Sequence, residues 1–194
     1  MRLSQVIMCC CLLAPTSPAG AQATIQASDT THLLPAVYQN WRDQEVHWII
    51  TPQELAQFNN LSTNNDRDQF IVQFWLLRDP TPDTEENEYK EEIYRRVAFS
   101  NAHFAAGTLG SLTDRGRIYI RYGPPDEITV VHVGRVGEAP TQTWHYEAFP
   151  KPGEMAASWE GKQQRPKGRR VDLTFVDNCK CGNYELRTPE PRLP

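Results

Sequence analysis

An α+β fold is predicted by three observations. Apolar residues recur at helical spacing as far as residue 105, side chains that cap helices precede those runs, and beyond Asp114 the apolar spacing falls to two. The expected architecture is a set of N-terminal helices packed on one face of a four- to five-stranded, mainly antiparallel sheet.

Residues 1–23 have one cation, Arg2, an apolar run over residues 6–14 and a small-x-small site at Ala21-Gln22-Ala23. They are expected to be a secretory signal peptide, because the apolar run is shorter than the roughly 20 residues that span a bilayer. The protein is therefore expected in the periplasm or outside the cell, with no stable membrane insertion after cleavage. Residues 24–34 are short of large apolar side chains and are expected to be a disordered lead-in. Residues 35–188 are expected to form a single domain, and residues 189–194, with three prolines, a loose C-terminal tail.

Within the domain, Val37, Trp41, Val46, Trp48 and Ile49 recur at roughly helical spacing. Thr51-Pro52-Gln53-Glu54 has the form of a capping box, with proline at the first helical position. A third helix is expected from residues 62–66 to Leu77, with Phe70, Ile71, Phe74, Trp75 and Leu77 on its apolar face. Pro80 and Pro82 stop it. Thr84 is expected to cap the next helix, which carries Glu85, Glu86 and Glu88 near its start, runs to about Ala105 and ends by Gly107.

The alternation of Ile118, Ile120 and Tyr122 with Arg117, Tyr119 and Arg121 predicts the first strand. A tight turn at Gly123-Pro124-Pro125-Asp126, where a cis proline is an option, leads to alternating runs around Ile128, Trp144 and residues 169–177, and a short strand at residues 184–187. Between these lies a long polar loop, residues 151–167, with Trp159 its one large aromatic residue.

The formal charge is −4 over the whole chain, and one unit more negative without Arg2. That balance disfavours nucleic acid as a partner. The five histidines, at 32, 47, 103, 132 and 145, lack the i, i+4 spacing of a helical metal pair, and no metal or cofactor is expected. No G-x-S-x-G, phosphate-binding or dinucleotide glycine motif occurs. Export puts Cys179 and Cys181 in an oxidising compartment. Three readings stay open for them: turn cysteines, because extended-strand neighbours at this spacing sit too far apart to bridge, an intramolecular or intermolecular disulfide, or a metal, for which two thiolates without a second pair make a poor site.

The candidate polar site consists of Arg78 and Asp79 in one sharp turn and Asp114 and Arg115 in another, both expected at the helix–sheet boundary. As a site, the arginines bind an anionic or carbohydrate group and an aspartate accepts a proton or hydrogen bonds. As structure, each aspartate caps its turn and each arginine ties that turn to a neighbouring element.

The segment RDPTP at residues 78–82, Asn87, Tyr94-Arg95-Arg96, Asn101, the run Gly110-Ser111-Leu112-Thr113-Asp114-Arg115-Gly116 and residues 118–125 together resemble the GWxTD domain family of bacterial exported proteins. Where the family has tryptophan after the first glycine, this chain has Ser111, so any stacking or wedge role of that ring is lost or falls to Leu109, Leu112 or Trp159. The resemblance implies no established biochemical activity. The function expected is a non-enzymatic binding or interaction domain of the cell envelope, with another envelope protein or a polymer as partner. The alternative is a periplasmic hydrolase or polymer-modifying enzyme using Asp114 or Asp79 with a neighbouring arginine.

Overall fold

The computed structural model describes residues 34–132, 138–147 and 170–190. The expected signal peptide, the lead-in up to residue 33, the loop with Trp159 and residues 191–194 lie outside them. The fold is α+β, with helices preceding a four-stranded antiparallel sheet in the order β1-β2-β3-β4.

Helix α1, Ala36–Asn40, continues into a wider π turn over Trp41–Glu45. Helix α2, Pro52–Asn59, starts with the expected capping box: the Thr51 hydroxyl accepts the Glu54 amide, and the Glu54 carboxylate accepts the Thr51 amide at 2.8 Å. Thr63 caps helix α3, Asn64–Leu76, which buries Phe74 and Trp75. Leu77, expected on the buried face, is 78% exposed because the helix ends before it.

Helix α4, Glu88–Phe104, is capped by Asn87 rather than Thr84. Asn87 accepts the Lys90 amide at 2.8 Å and donates to the Trp75 carbonyl at 2.7 Å, so one side chain starts α4 and closes the end of α3. Thr84 instead bonds within its turn, to the Thr81 and Glu86 carbonyls.

The main correction concerns residues 114–122. They form helix α5, Asp114–Tyr122, not a strand. Thr113 is its N-cap, accepting the Gly116 amide. Gly123, at φ +83°, ends it, a backbone angle that L side chains rarely adopt. The prolines that follow are trans, as is every peptide bond among the described residues, so the cis option is not taken.

Two apolar clusters explain why α5 reads as a strand. The first joins Tyr38, Trp41, Phe58, Phe74, Trp75, Tyr89, Ile93 and Val97 from the helices, and it includes Ile120. The second joins Ile118 and Tyr122 to Phe104 and to Trp144, Tyr146, Leu173 and Phe175 on one face of the sheet. Ile118 and Tyr122 are four apart on one side of α5, while Ile120, about 200° around the helix from each, points the opposite way. All three are at most 2% exposed. A short helix buried on both sides gives the alternation of a strand.

The sheet is a meander of β1, Glu127–Val131, β2, Thr141–Tyr146, β3, Val171–Val176, and β4, Glu185–Leu186. Register pairs Ile128 with Trp144, Trp144 with Leu173, and Phe175 with Leu186. The face away from α5 is polar: Thr143 and Thr174 share a hydrogen bond, and His145 bonds both Thr129 and Asp172.

Between the two clusters lies a buried ion pair. Arg96 donates to Glu92 at 2.6 Å and to the Ile120 carbonyl at 3.0 Å, joining α4 to the last turn of α5. Both side chains are at most 8% exposed, and Arg95 pairs with the second oxygen of Glu92. Burial pushes the Arg96 pKa below its ordinary value. Removing Arg96 leaves the buried Glu92 carboxylate with only the half-exposed Arg95 and strips the Ile120 carbonyl of its donor. We therefore expect Arg96→Ala to cost about 3–5 kcal/mol in urea denaturation, and Glu92→Gln combined with Arg96→Met to cost clearly less.

Candidate functional site

A cleft of about 630 Å³ opens among the helices, lined by Trp48, Ile49, Ile50, Thr51, Pro52, Leu77, Arg78, Asp79, Tyr89 and Arg121. Its volume is that of a small-molecule or peptide-side-chain site. Two of the four expected site residues, Arg78 and Asp79, stand in its wall.

Arg78 is held on several sides. It donates to the Phe74 carbonyl at 3.0 Å and to Glu54 at 2.8 Å, and its guanidinium lies 3.7 Å from the centre of the Phe74 ring. Burial works against the Glu54 carboxylate, yet the Thr51 amide and Arg78 together keep its pKa below the ordinary value. Asp79 accepts the Thr81 amide at 3.0 Å, an aspartate turn that fixes the one residue between Pro80 and Pro82. This turn sits among helices, not at the helix–sheet boundary where it was expected.

Asp114 and Arg115 are elsewhere, and they diverge. Asp114 accepts the Leu186 amide at 2.8 Å and Arg117 at 2.9 Å, so it does join α5 to the edge strand β4. Arg115 points under the sheet, donating to the Gly182 carbonyl at 3.0 Å, with its guanidinium 4.3 Å from the Tyr184 ring centre and 4.9 Å from that of Phe104. Burial lowers its pKa. Neither residue lines the cleft, so the structure does not bring the four expected residues into one site.

The loop between α4 and α5 accounts for the shared motif residues. A Cβ built on Gly110 would lie 1.9 Å from the Ser100 carbonyl oxygen, and one on Gly116 would lie 2.0 Å from that of Gly110. Only hydrogen fits at either place. Asn101 accepts the Ser111 amide at 2.8 Å, and Thr113 donates to the Gly110 carbonyl at 2.7 Å. The Ser111 carbonyl accepts the Trp48 indole at 2.7 Å. An aromatic ring does reach this loop, then, but it is Trp48, set far from it in sequence. Leu109 is 40% exposed and Trp159 lies outside the described residues.

A model of the GWxTD domain matches residues 24–174. The chain belongs to the GWxTD domain family. No curated protein and no solved structure matches it. The matched span of the GWxTD domain ends inside β3, so the Cys179–Cys181 turn, β4 and Glu190 lie beyond it.

Two further groups escaped the sequence reading. The first is a cradle on α5. Arg117 and Arg121, four apart, both pair with Glu190, whose carboxylate also accepts the Tyr122 hydroxyl. Burial first, and then the Glu190 bond, push the Tyr122 pKa up. Arg121 also lines the cleft. The spacing of Arg117 and Arg121 was the available signal, and it was lost once the segment was read as a strand. The second is the hydrogen-bonded series Asp172, His145, Thr129 on the polar face of the sheet, with links of 2.8 and 2.9 Å. It has the order of an acyl-transfer relay, but its three members occupy adjacent strands as a cross-strand ladder and none lines the cleft.

Cys179 and Cys181 are bonded to each other. Lys180 between them has φ +57°, and Asp177 accepts the Cys181 and Gly182 amides at 3.1 and 2.8 Å, so a bend brings the α-carbons to 5.2 Å. Asp177 and the two sulfurs lie within 4.8 Å of one another, a spacing also compatible with a metal, but bonded sulfurs are not thiolate ligands.

Two outcomes follow. Asp114→Asn should lower stability by about 1.5–3 kcal/mol in thermal denaturation, the worth of a hydrogen bond to a charged group, because the neutral amide cannot serve both the Leu186 amide and Arg117 equally. Iodoacetamide should label neither Cys179 nor Cys181 in folded, unreduced protein and both after reduction, as read by intact mass.

Proposed function

We propose that this GWxTD domain is an exported, non-enzymatic binding domain of the cell envelope, and that the helical cleft is its contact surface. One observation carries the reading. The charged residues of the two turns are already engaged: Asp79 and Asp114 hold backbone amides, while Arg78 and Arg115 hold backbone carbonyls. What the cleft offers instead is recognition chemistry: the Trp48 and Tyr89 rings and apolar Leu77, with the cation of Arg121, now paired with Glu190, in the same lining.

Export rests on the sequence of residues 1–23. No helix among the described residues is long and apolar enough to cross a membrane. A second surface favours the same class of function: β1 is an edge strand of the described sheet, with Ile128, Val130 and Val131 at least 40% exposed. The hydrolase reading finds weaker support, since general acid–base work needs a carboxylate free to exchange a proton with substrate.

The test is affinity capture from a native envelope fraction with immobilised protein, comparing the unchanged chain with Leu77→Glu. Leu77 is largely solvent-exposed, so its replacement alters the cleft without opening the core. The expected result is a partner retained by the unchanged chain and lost with Leu77→Glu at an unchanged melting temperature. Identical capture by both would remove the cleft from the proposal.

A further inference from the structure

Glu190 raises a question the fold alone does not answer. The segment after β4 is fastened by two bonds to β3, the Arg187 amide to the Thr174 carbonyl at 2.8 Å and the Thr174 amide to the Thr188 hydroxyl at 2.6 Å. It then crosses to α5 and places one carboxylate between two guanidiniums and a phenol. The side chain of Glu190 is 20% exposed, with Arg117 at 19% and Arg121 at 28%. The arrangement is a built receptor with its occupant in place.

The receptor is ordered from beneath. Asp114 braces Arg117 through its second guanidinium nitrogen, leaving the first for Glu190. Two cations at i, i+4 on one helix repel each other. Asp114 offsets one of them, so the cradle without Glu190 carries one unmatched positive charge beside the cleft. That charge favours an anion, and the paired donors favour the two oxygens of a carboxylate. Pro189 and Pro191 on either side of Glu190 disfavour helix in the occupant and keep it extended before it binds.

We propose that Arg117, Arg121 and Tyr122 form a receptor for a glutamate in an extended, proline-flanked segment of a partner polypeptide, and that Glu190 is its internal competitor. The occupant supplies the chemistry: a glutamate-length carboxylate in the structure, and in the sequence a proline on either side of it. Arg121 belongs to cradle and cleft alike, so displacing Glu190 joins the two into one surface. This deepens the binding-domain reading and rests on it. The cradle stands beyond the residues the family model matches only in its occupant, since Arg117 and Arg121 lie within the matched span and Glu190 does not.

The test uses a fluorescein-labelled peptide of residues 186–194, the same peptide with glutamine in place of Glu190, and fluorescence anisotropy. Against full chains, the expected order is clear: E190Q binds the glutamate peptide at least about tenfold more tightly than the unchanged chain, and the gain disappears in E190Q/R121Q. The glutamine peptide should bind E190Q at least about tenfold more weakly than the glutamate peptide. Circular dichroism establishes that each chain is folded, and a chain ending at residue 188 takes the place of E190Q if that variant is not. A folded chain with a vacated cradle that ignores the glutamate peptide, or binds both peptides equally, overturns the proposal. Adding Leu77→Glu to E190Q separates the readings: peptide binding that persists while envelope capture is unaffected removes the cleft and keeps the cradle.

Discussion

Burial of α5 on two opposite sides is the constraint from which most of the structure follows. A nine-residue helix with one apolar stripe can serve one core. This one serves two, with Ile120 among the helices and Ile118 and Tyr122 against the sheet. Its ends must then be terminated inside the protein, where water cannot satisfy free amides and carbonyls. Thr113 takes the Gly116 amide at the start, and Arg96 takes the Ile120 carbonyl at the end. The buried arginine is thus explained by the helix it closes: an interior carbonyl near Gly123 needs a donor, and Glu92 supplies the charge that lets an arginine be that donor.

The same constraint explains the loop that precedes α5. For α4 and α5 to share the space between two cores, the connection between them must lie almost against their backbones, and at Gly110 and Gly116 no side chain fits. Asn101 and Thr113 then take up the amides this tight path exposes, at Ser111 and Gly116, and Asp114 accepts the Leu186 amide of β4. The residues that mark the family are in this chain a backbone joint. Ser111 and Trp48 show how that joint reaches the cleft: a carbonyl in the loop fixes an indole in the cleft wall. Recognition and cohesion meet at one hydrogen bond.

How much of this was legible in the sequence divides along local and non-local lines. The capping box at Thr51 and Glu54 was readable because all its partners lie within four residues. The strands around Trp144 and Phe175 were readable because their one buried face imposes alternation. Residues 114–122 misled for the same reason: period two means two-sided burial in a helix as well as one-sided burial in a strand, and periodicity cannot tell them apart. Thr113, a cap residue directly before the run, was the local clue. Leu77 and Asn87 failed by small displacements, a helix ending one residue early and the next starting three residues late. Of the four expected site residues, each carries a specific bond, but sequence neighbours at 114 and 115 are a hundred degrees apart on a helix and so serve different layers. Glu190 was invisible, because nothing local shows that a proline-rich segment after the last strand returns to α5.

Four arginines on α4 and α5 differ in a way that bears on function. Arg96 and Arg115 are buried, at 5% and 8% exposure, and each holds a backbone carbonyl. Exchanging such a contact for one with a ligand would strand a charge and a backbone acceptor together, at a cost comparable to much of a domain's stability. Arg117 and Arg121 are more exposed, and their shared partner is a side chain on a short segment, not the backbone of the core. A second carboxylate could make the same bonds there, so exchange would strand neither a buried charge nor a backbone acceptor. The fold therefore sorts chemically identical groups by depth: the inner pair of guanidiniums is fixed to backbone carbonyls, and the outer pair holds a single side-chain carboxylate.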